Sequence, residues 1–87
     1  MQTIRHLRLQ IDKIDKNIIK NLAKRDKIVI SIGKLKNKSS KKILDTDREH
    51  YLMHLYEKLS EDFSLKPSYV KRLFKIIITH SRKLQRY

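Results

Sequence analysis

No proline interrupts residues 3 to 36, and Ile4, Leu7, Ile11, Ile14, Ile18, Leu22, Val29 and Ile32 recur there with the three-and-four spacing of one helical stripe. The pattern predicts a single long helix. It dissolves into the polar run Asn37-Lys38-Ser39-Ser40-Lys41-Lys42, which reads as a loop. A second helix is expected from Asp45 or Thr46. There Thr46-Asp47-Arg48-Glu49 fits a capping box, and Leu52, Leu55, Tyr56 and Leu59 carry an apolar face that ends before a connection over 60–66. Pro67 suits the first turn of a third helix, with Val70, Leu73, Phe74, Ile77 and Leu84 as its stripe and Ser81 on it. Lys66 stands where a Ser or Asp cap is expected, so either Ser64 caps from further back or that end is weak. The segments 28–32 and 76–79 have strand-like local propensity, but each lies inside a longer helical period and is read as helix.

With 87 residues, one Gly and one Pro, the chain has too little turn chemistry for an all-β fold. The expectation is one all-α domain over residues 1–87, with three helices: a long N-terminal one and two shorter ones. A helix over residues 3 to 36 would span about 50 Å at 1.5 Å per residue, whereas a compact chain of this length has a radius of gyration near ~12 Å. Such a rod overhangs its own globule, and its apolar stripe calls for a second copy. A helical homodimer follows.

The chain has no cysteine, so thiolate metal sites and disulfides are excluded. No N-terminal run resembles a signal peptide, and no apolar run approaches the roughly 20 residues of a membrane span. The reading is a cytoplasmic protein without a membrane segment. Net charge is +13. Residues 1 to 42 hold thirteen Lys and Arg against three Asp, and residues 43 to 87 hold nine against six acids. That imbalance fits a nucleic acid, an anionic membrane surface or an acidic partner, with a merely solvated lysine face the better reading. With no Trp and no base-stacking pattern, nucleic acid is the weaker choice.

Two cations break the apolar pattern. At about 100° per residue, Arg25 and Lys36 fall within roughly 20° of the centre of the first helix's stripe, and Arg8 lies about 80° off, at its margin. A buried cation is costly unless something negative meets it. Arg8, Arg25 and Lys36 could clamp a dianion, with guanidinium forks on carboxylates and the ammonium as a point charge, or could form structural ion pairs, for instance with Asp15. Asp45 and Glu49 share a helix face with Arg48 beside them. Paired carboxylates can do acid-base work, but the capping box is the stronger local explanation for Glu49. Ser81 and Gln85 are one turn apart; Gln85 is either in a frayed end, the default, or aimed at something polar. His50 and His54 have the spacing of two metal ligands, but no third ligand is placed and surface histidines are the better reading, so no metal is expected. Gly33 is the only glycine, which rules out a Gly-rich phosphate loop, and no Ser, His and Asp grouping suggests a covalent nucleophile.

Taken in order, Leu7-Arg8, Ile11-Asp12, Ile14-Asp15, Leu22-Ala23-Lys24-Arg25, Ile32-Gly33-Lys34-Leu35-Lys36, Asp45-Thr46-Asp47-Arg48-Glu49, Ser81 and Gln85 resemble the all-α chorismate mutase family over nearly the whole chain. The resemblance implies an intertwined homodimer with two sites, each lined by the long helices of both subunits. It implies the pericyclic rearrangement of chorismate to prephenate, on the route to phenylalanine and tyrosine, with no cofactor, metal or nucleophile. It also implies roles. Arg25 and the partner's Arg8 would hold the substrate's carboxylates, with Ser81 assisting. Lys36 and Gln85 would donate to the ether oxygen, and Glu49 would accept from the ring hydroxyl, with Asp45 and Arg48 close by. The positive charge could speed capture of a dianion. An isochorismate pyruvate lyase, a relative with a similar cationic pocket, is the nearest rival; a basic nucleic-acid-binding helical dimer is the alternative of another class.

Overall fold

The computed structural model describes residues 1–39 and 45–86. Three helices account for most of them: α1 (Ile4–Ser39), α2 (Thr46–Asp62) and α3 (Pro67–Gln85). The strand-like segments 28–32 and 76–79 are both helical, because each is one turn or so of a much longer amphipathic period. Several expected boundaries shift. α1 continues to Ser39, three residues past Lys36, so 37–39 are helix and not loop; the remainder of that expected loop, 40–42, lies outside the described residues. α2 runs on to Asp62, and Ser60, expected in the connection, is instead 1% exposed in its last turn.

The helix ends have clear local causes. Asp45, in extended conformation, caps α2 by accepting from the Arg48 backbone N–H at 3.0 Å. The expected Thr46–Glu49 capping box is therefore replaced by an aspartate cap one residue earlier, which leaves the Glu49 carboxylate to act elsewhere. At the other end Ser64 adopts a left-handed φ of 57°, Leu65 N–H donates to Ser60 C=O at 2.8 Å, and Ser64 N–H donates to Glu61 C=O at 3.2 Å. This is a Schellman turn with serine at the position usually given to glycine. Ser64 thus shapes the turn and does not cap α3; Lys66 stands at that N-cap with no side-chain hydrogen bond, and Pro67 opens the helix.

α3 packs against both α1 and α2. Its buried face keeps Val70, Phe74, Ile77, Ser81 and Leu84 of the expected stripe but takes in Ile78 and leaves out Leu73. Ile78 and Ser81 are buried, whereas Leu73 is 43% exposed. A helix held between two neighbours buries the arc facing both, which differs from the centre of its apolar pattern. The core is small: Leu52, Tyr56 and Ile78, with Met53, Leu55, Val70 and Phe74 packed on them and the Tyr56 and Phe74 rings stacked 4.1 Å apart. The N-terminal half of α1 projects beyond this core, giving the chain a length of 58 Å against a width of 24 Å. Ile4, Leu7, Ile11, Ile14 and Ile18 along it are all more than two-fifths exposed. Among the described residues, no helix is long and apolar enough to cross a membrane.

Candidate active site

Where α1, α2 and α3 converge they leave a cavity of about 300 Å³. Arg25, Lys36, Asp45, Arg48, Glu49, Ser81 and Gln85 line it, with Val29, Ile32, Leu52 and Ile78 as its apolar wall. Residues up to 60 positions apart in sequence thus meet in one place, because α1 and α3 cross there and α2 starts beside them. Arg8 is not among them. It is exposed and lies 17 residues N-terminal to Arg25 on the same helix, about 25 Å away at 1.5 Å per residue.

Arg25 is half-buried and held from α3. Its Nη1 donates to Ser81 Oγ, and that hydroxyl passes its own hydrogen to Ile77 C=O at 2.9 Å. The guanidinium charge also lies close enough to act on the Tyr56 hydroxyl, in a residue only 6% exposed. Burial pushes the Tyr56 phenol above its usual value of 10.0, partly opposed by the nearby Arg25 and Arg48 charges. The structural-pair alternative with Asp15 is not realised for Arg25; Asp15 is exposed, ten residues back along α1.

Lys36 lines the cavity from the last turns of α1. Arg48 is exposed at the rim, its guanidinium 5.1 Å from the centre of the Tyr51 ring. Gln85 is not frayed. Its backbone lies against Gly33 so closely that a Cβ there would sit 2.8 Å from Gln85 Cα, and its Oε1 is buried with no hydrogen-bond partner among the described residues. A buried amide in that state is under-satisfied and gains from a polar guest or from turning its donor end inward.

Two residues with evident roles were missed in the sequence. Tyr56 belongs to the expected apolar face of α2, yet its hydroxyl lies within reach of the Arg25 charge. Arg82 had no reading at all, yet it lines the cavity and pairs with Glu49, Nε donating to Oε1 at 2.8 Å and Nη2 to the same oxygen. The available signal was spacing: Arg82 is one turn after Ile78 and three residues before Gln85 on α3. His50 and His54 are both exposed, and no group of three or more His, Cys, Asp or Glu able to hold a metal occurs among the described residues.

The lining cations Arg25, Lys36, Arg48 and Arg82 face the carboxylates Asp45 and Glu49, an excess of two positive charges in a partly apolar cleft. Such a cleft suits a small dianion with an apolar body.

Comparison with known proteins bears on what that dianion is. The model of the family described as chorismate mutase type II matches residues 7–86. A chorismate mutase of Methanocaldococcus jannaschii is 28% identical over 86 residues, covering 99% of this chain and 87% of that protein. A bifunctional chorismate mutase/prephenate dehydratase of Buchnera aphidicola subsp. Schizaphis graminum is 40% identical over 74 residues, 85% of this chain but 19% of the relative. The protein of that name from Escherichia coli K12 is 33% identical over 75 residues, 86% of this chain and 19% of its own length. The chain therefore spans under a fifth of these two-function relatives but most of the single-function one. With a match across nearly its whole length and a three-helix, strand-free architecture among the described residues, this chain belongs to the type II chorismate mutase family.

Proposed function

We propose that this protein rearranges chorismate to prephenate, as one chorismate mutase domain over residues 1–87 acting in the cytoplasm on the route to phenylalanine and tyrosine. The observation that carries the reading is the convergence of Arg25, Lys36, Ser81, Gln85 and Glu49, from three helices, on a single cationic cavity.

The reaction is intramolecular. The ether C–O bond of chorismate breaks as a new C–C bond forms, and no group is gained or lost. The catalyst has two tasks: to hold the side chain folded over the ring and to stabilise charge on the departing ether oxygen. Arg25, held by Ser81, is suited to grip one carboxylate bidentately. Fixing the reactive conformer of a flexible substrate can supply several kcal/mol, up to about 7–11 in ideal cases. Lys36 and the amide donor of Gln85 serve the ether oxygen; a single donor of that type typically contributes about 2.7–4 kcal/mol. Glu49 accepts from the ring hydroxyl, with Asp45 and Arg48 at the same rim. No step requires a nucleophile, metal or cofactor.

The second carboxylate is assigned to Arg8 of a partner subunit. An isolated chain leaves the apolar N-terminal half of α1 in water and Arg8 far from its own cavity. Pairing two chains along α1 in an intertwined homodimer covers the first and brings the second within reach of the neighbouring site.

Purified protein supplied separately with chorismate and isochorismate tests the reading. Prephenate formed from chorismate is expected. Pyruvate release from isochorismate alone would replace the mutase with the lyase. Inactivity on both, with salt-sensitive DNA retention, would favour the nucleic-acid-binding dimer.

A further inference from the structure

Among the cations lining the cavity, Arg82 has no part in the roles above. Its surroundings suggest one. Both of its donors, Nε at 2.8 Å and Nη2, converge on a single oxygen of Glu49, Oε1, leaving Oε2 outside the fork. The two side chains are 36% and 24% exposed, so the pair sits at the wall of the cavity and not on open surface. Glu49 is on α2 and Arg82 on α3, 33 residues apart, so the contact exists only in the folded chain.

Two physical consequences follow. A glutamate carboxylate swings on three side-chain torsions; gripping one oxygen with a planar fork fixes the plane of the group and hence the direction of the other oxygen. In addition, an unpaired carboxylate in this cleft would repel an incoming dianion. Arg82 offsets that charge while binding Oε1 alone.

We infer that Arg82 is a positioning residue that holds Glu49 through Oε1, so that Oε2 accepts the substrate's ring hydroxyl while the pair presents no net charge to the dianion. The inference rests on the chorismate reading. It concerns substrate binding more than bond breaking, because the hydroxyl contact is present in ground state and transition state alike.

The test is a double-mutant cycle on the full chain with chorismate as substrate and melting curves run in parallel. Arg82→Ala is expected to raise KM by about tenfold with kcat within about twofold of wild type. In a Glu49→Gln background, which removes the charge to be cancelled, the same substitution is expected to change KM by less than about twofold. Arg82→Lys, which keeps the charge but not the fork, recovers part of the KM. Arg82→Gln serves as the second neutral variant, with the same rise in KM expected should the alanine variant not fold. Equal KM effects in both backgrounds, or an unchanged KM in a folded neutral variant, overturn the role of Arg82 while wild-type turnover leaves the mutase reading intact. Absence of wild-type turnover overturns both.

Discussion

Gly33 on α1 and Gln85 on α3 meet backbone to backbone: a Cβ on Gly33 would lie 2.8 Å from Gln85 Cα and 2.9 Å from its carbonyl oxygen. The chain's one glycine therefore serves a close approach of two helices, beside the cavity, while the left-handed turn after α2 is left to Ser64. Because the obstacle is backbone and not a flexible side-chain tip, it cannot step aside without moving the helix.

Gly33→Ala should accordingly push α3 away from α1. Overpacking of this kind costs about 1–3 kcal/mol, more than the roughly 1 kcal/mol that alanine gains over glycine in helix propensity. Urea unfolding is expected to show a net loss of stability, and turnover is expected to fall as Gln85 leaves its place. A variant as stable and active as wild type would mean that the contact is not tight.

Lys36→Ala is expected to lower kcat by about 10²–10³-fold, the usual loss for one donor to a developing oxyanion. Lys20, exposed elsewhere on the same helix, provides the control: Lys20→Ala should leave kcat unchanged within about twofold. Steady-state kinetics on both variants checks the assignment, which fails if the two behave alike.

Arg8 and Arg25 belong to one site from two chains under the proposed dimer. Arg8→Ala and Arg25→Ala homodimers should each be nearly inactive. Mixed and allowed to exchange subunits, they form heterodimers with one intact site, restoring about a quarter of wild-type activity per chain. No recovery on mixing, or a monomer in sedimentation at micromolar concentration, would refute the shared site.

The Tyr56 hydroxyl predicts an alkaline effect. Its pKa is raised in the folded chain, chiefly by burial, so above pH 10 the unfolded state loses this proton while the folded state retains it. The unfolded state then binds fewer protons, and unfolding free energy falls as pH rises. The contribution is present below the unfolded value and lost as pH climbs through the folded one. Tyr56→Phe should flatten this part of the stability profile, measured by denaturant titration from pH 8 upward; an identical slope in both proteins would exclude the effect.

Much of the fold was legible in one dimension because helices announce themselves by period. The stripe through Ile4, Leu7, Ile11, Ile14 and Ile18 and the Pro67 start required only neighbours along the chain. Boundaries were less legible. Thr46 and Asp45 are both competent caps, and the backbone selected Asp45 by adopting an extended conformation there. The polar misfits Arg25 and Lys36 were visible as exceptions to a pattern, and the resemblance to a known family supplied roles for Ser81, Gln85 and Glu49, which spacing had only paired.

By itself, then, the sequence determined the all-α class, the long first helix and the misplaced cations Arg25 and Lys36, since these depend on local periodicity, while the family resemblance implied most of the other polar residues that line the cavity. Tertiary structure alone decided the rest. It turned α3 so that Ile78 faces inward in place of Leu73, set Gly33 against Gln85, placed the Tyr56 hydroxyl within reach of the Arg25 charge, and gave the Glu49 carboxylate to Arg82 and not to a capping box. Each of these depends on the angle and separation at which helices cross, and no spacing within a single helix encodes the distance to its neighbour.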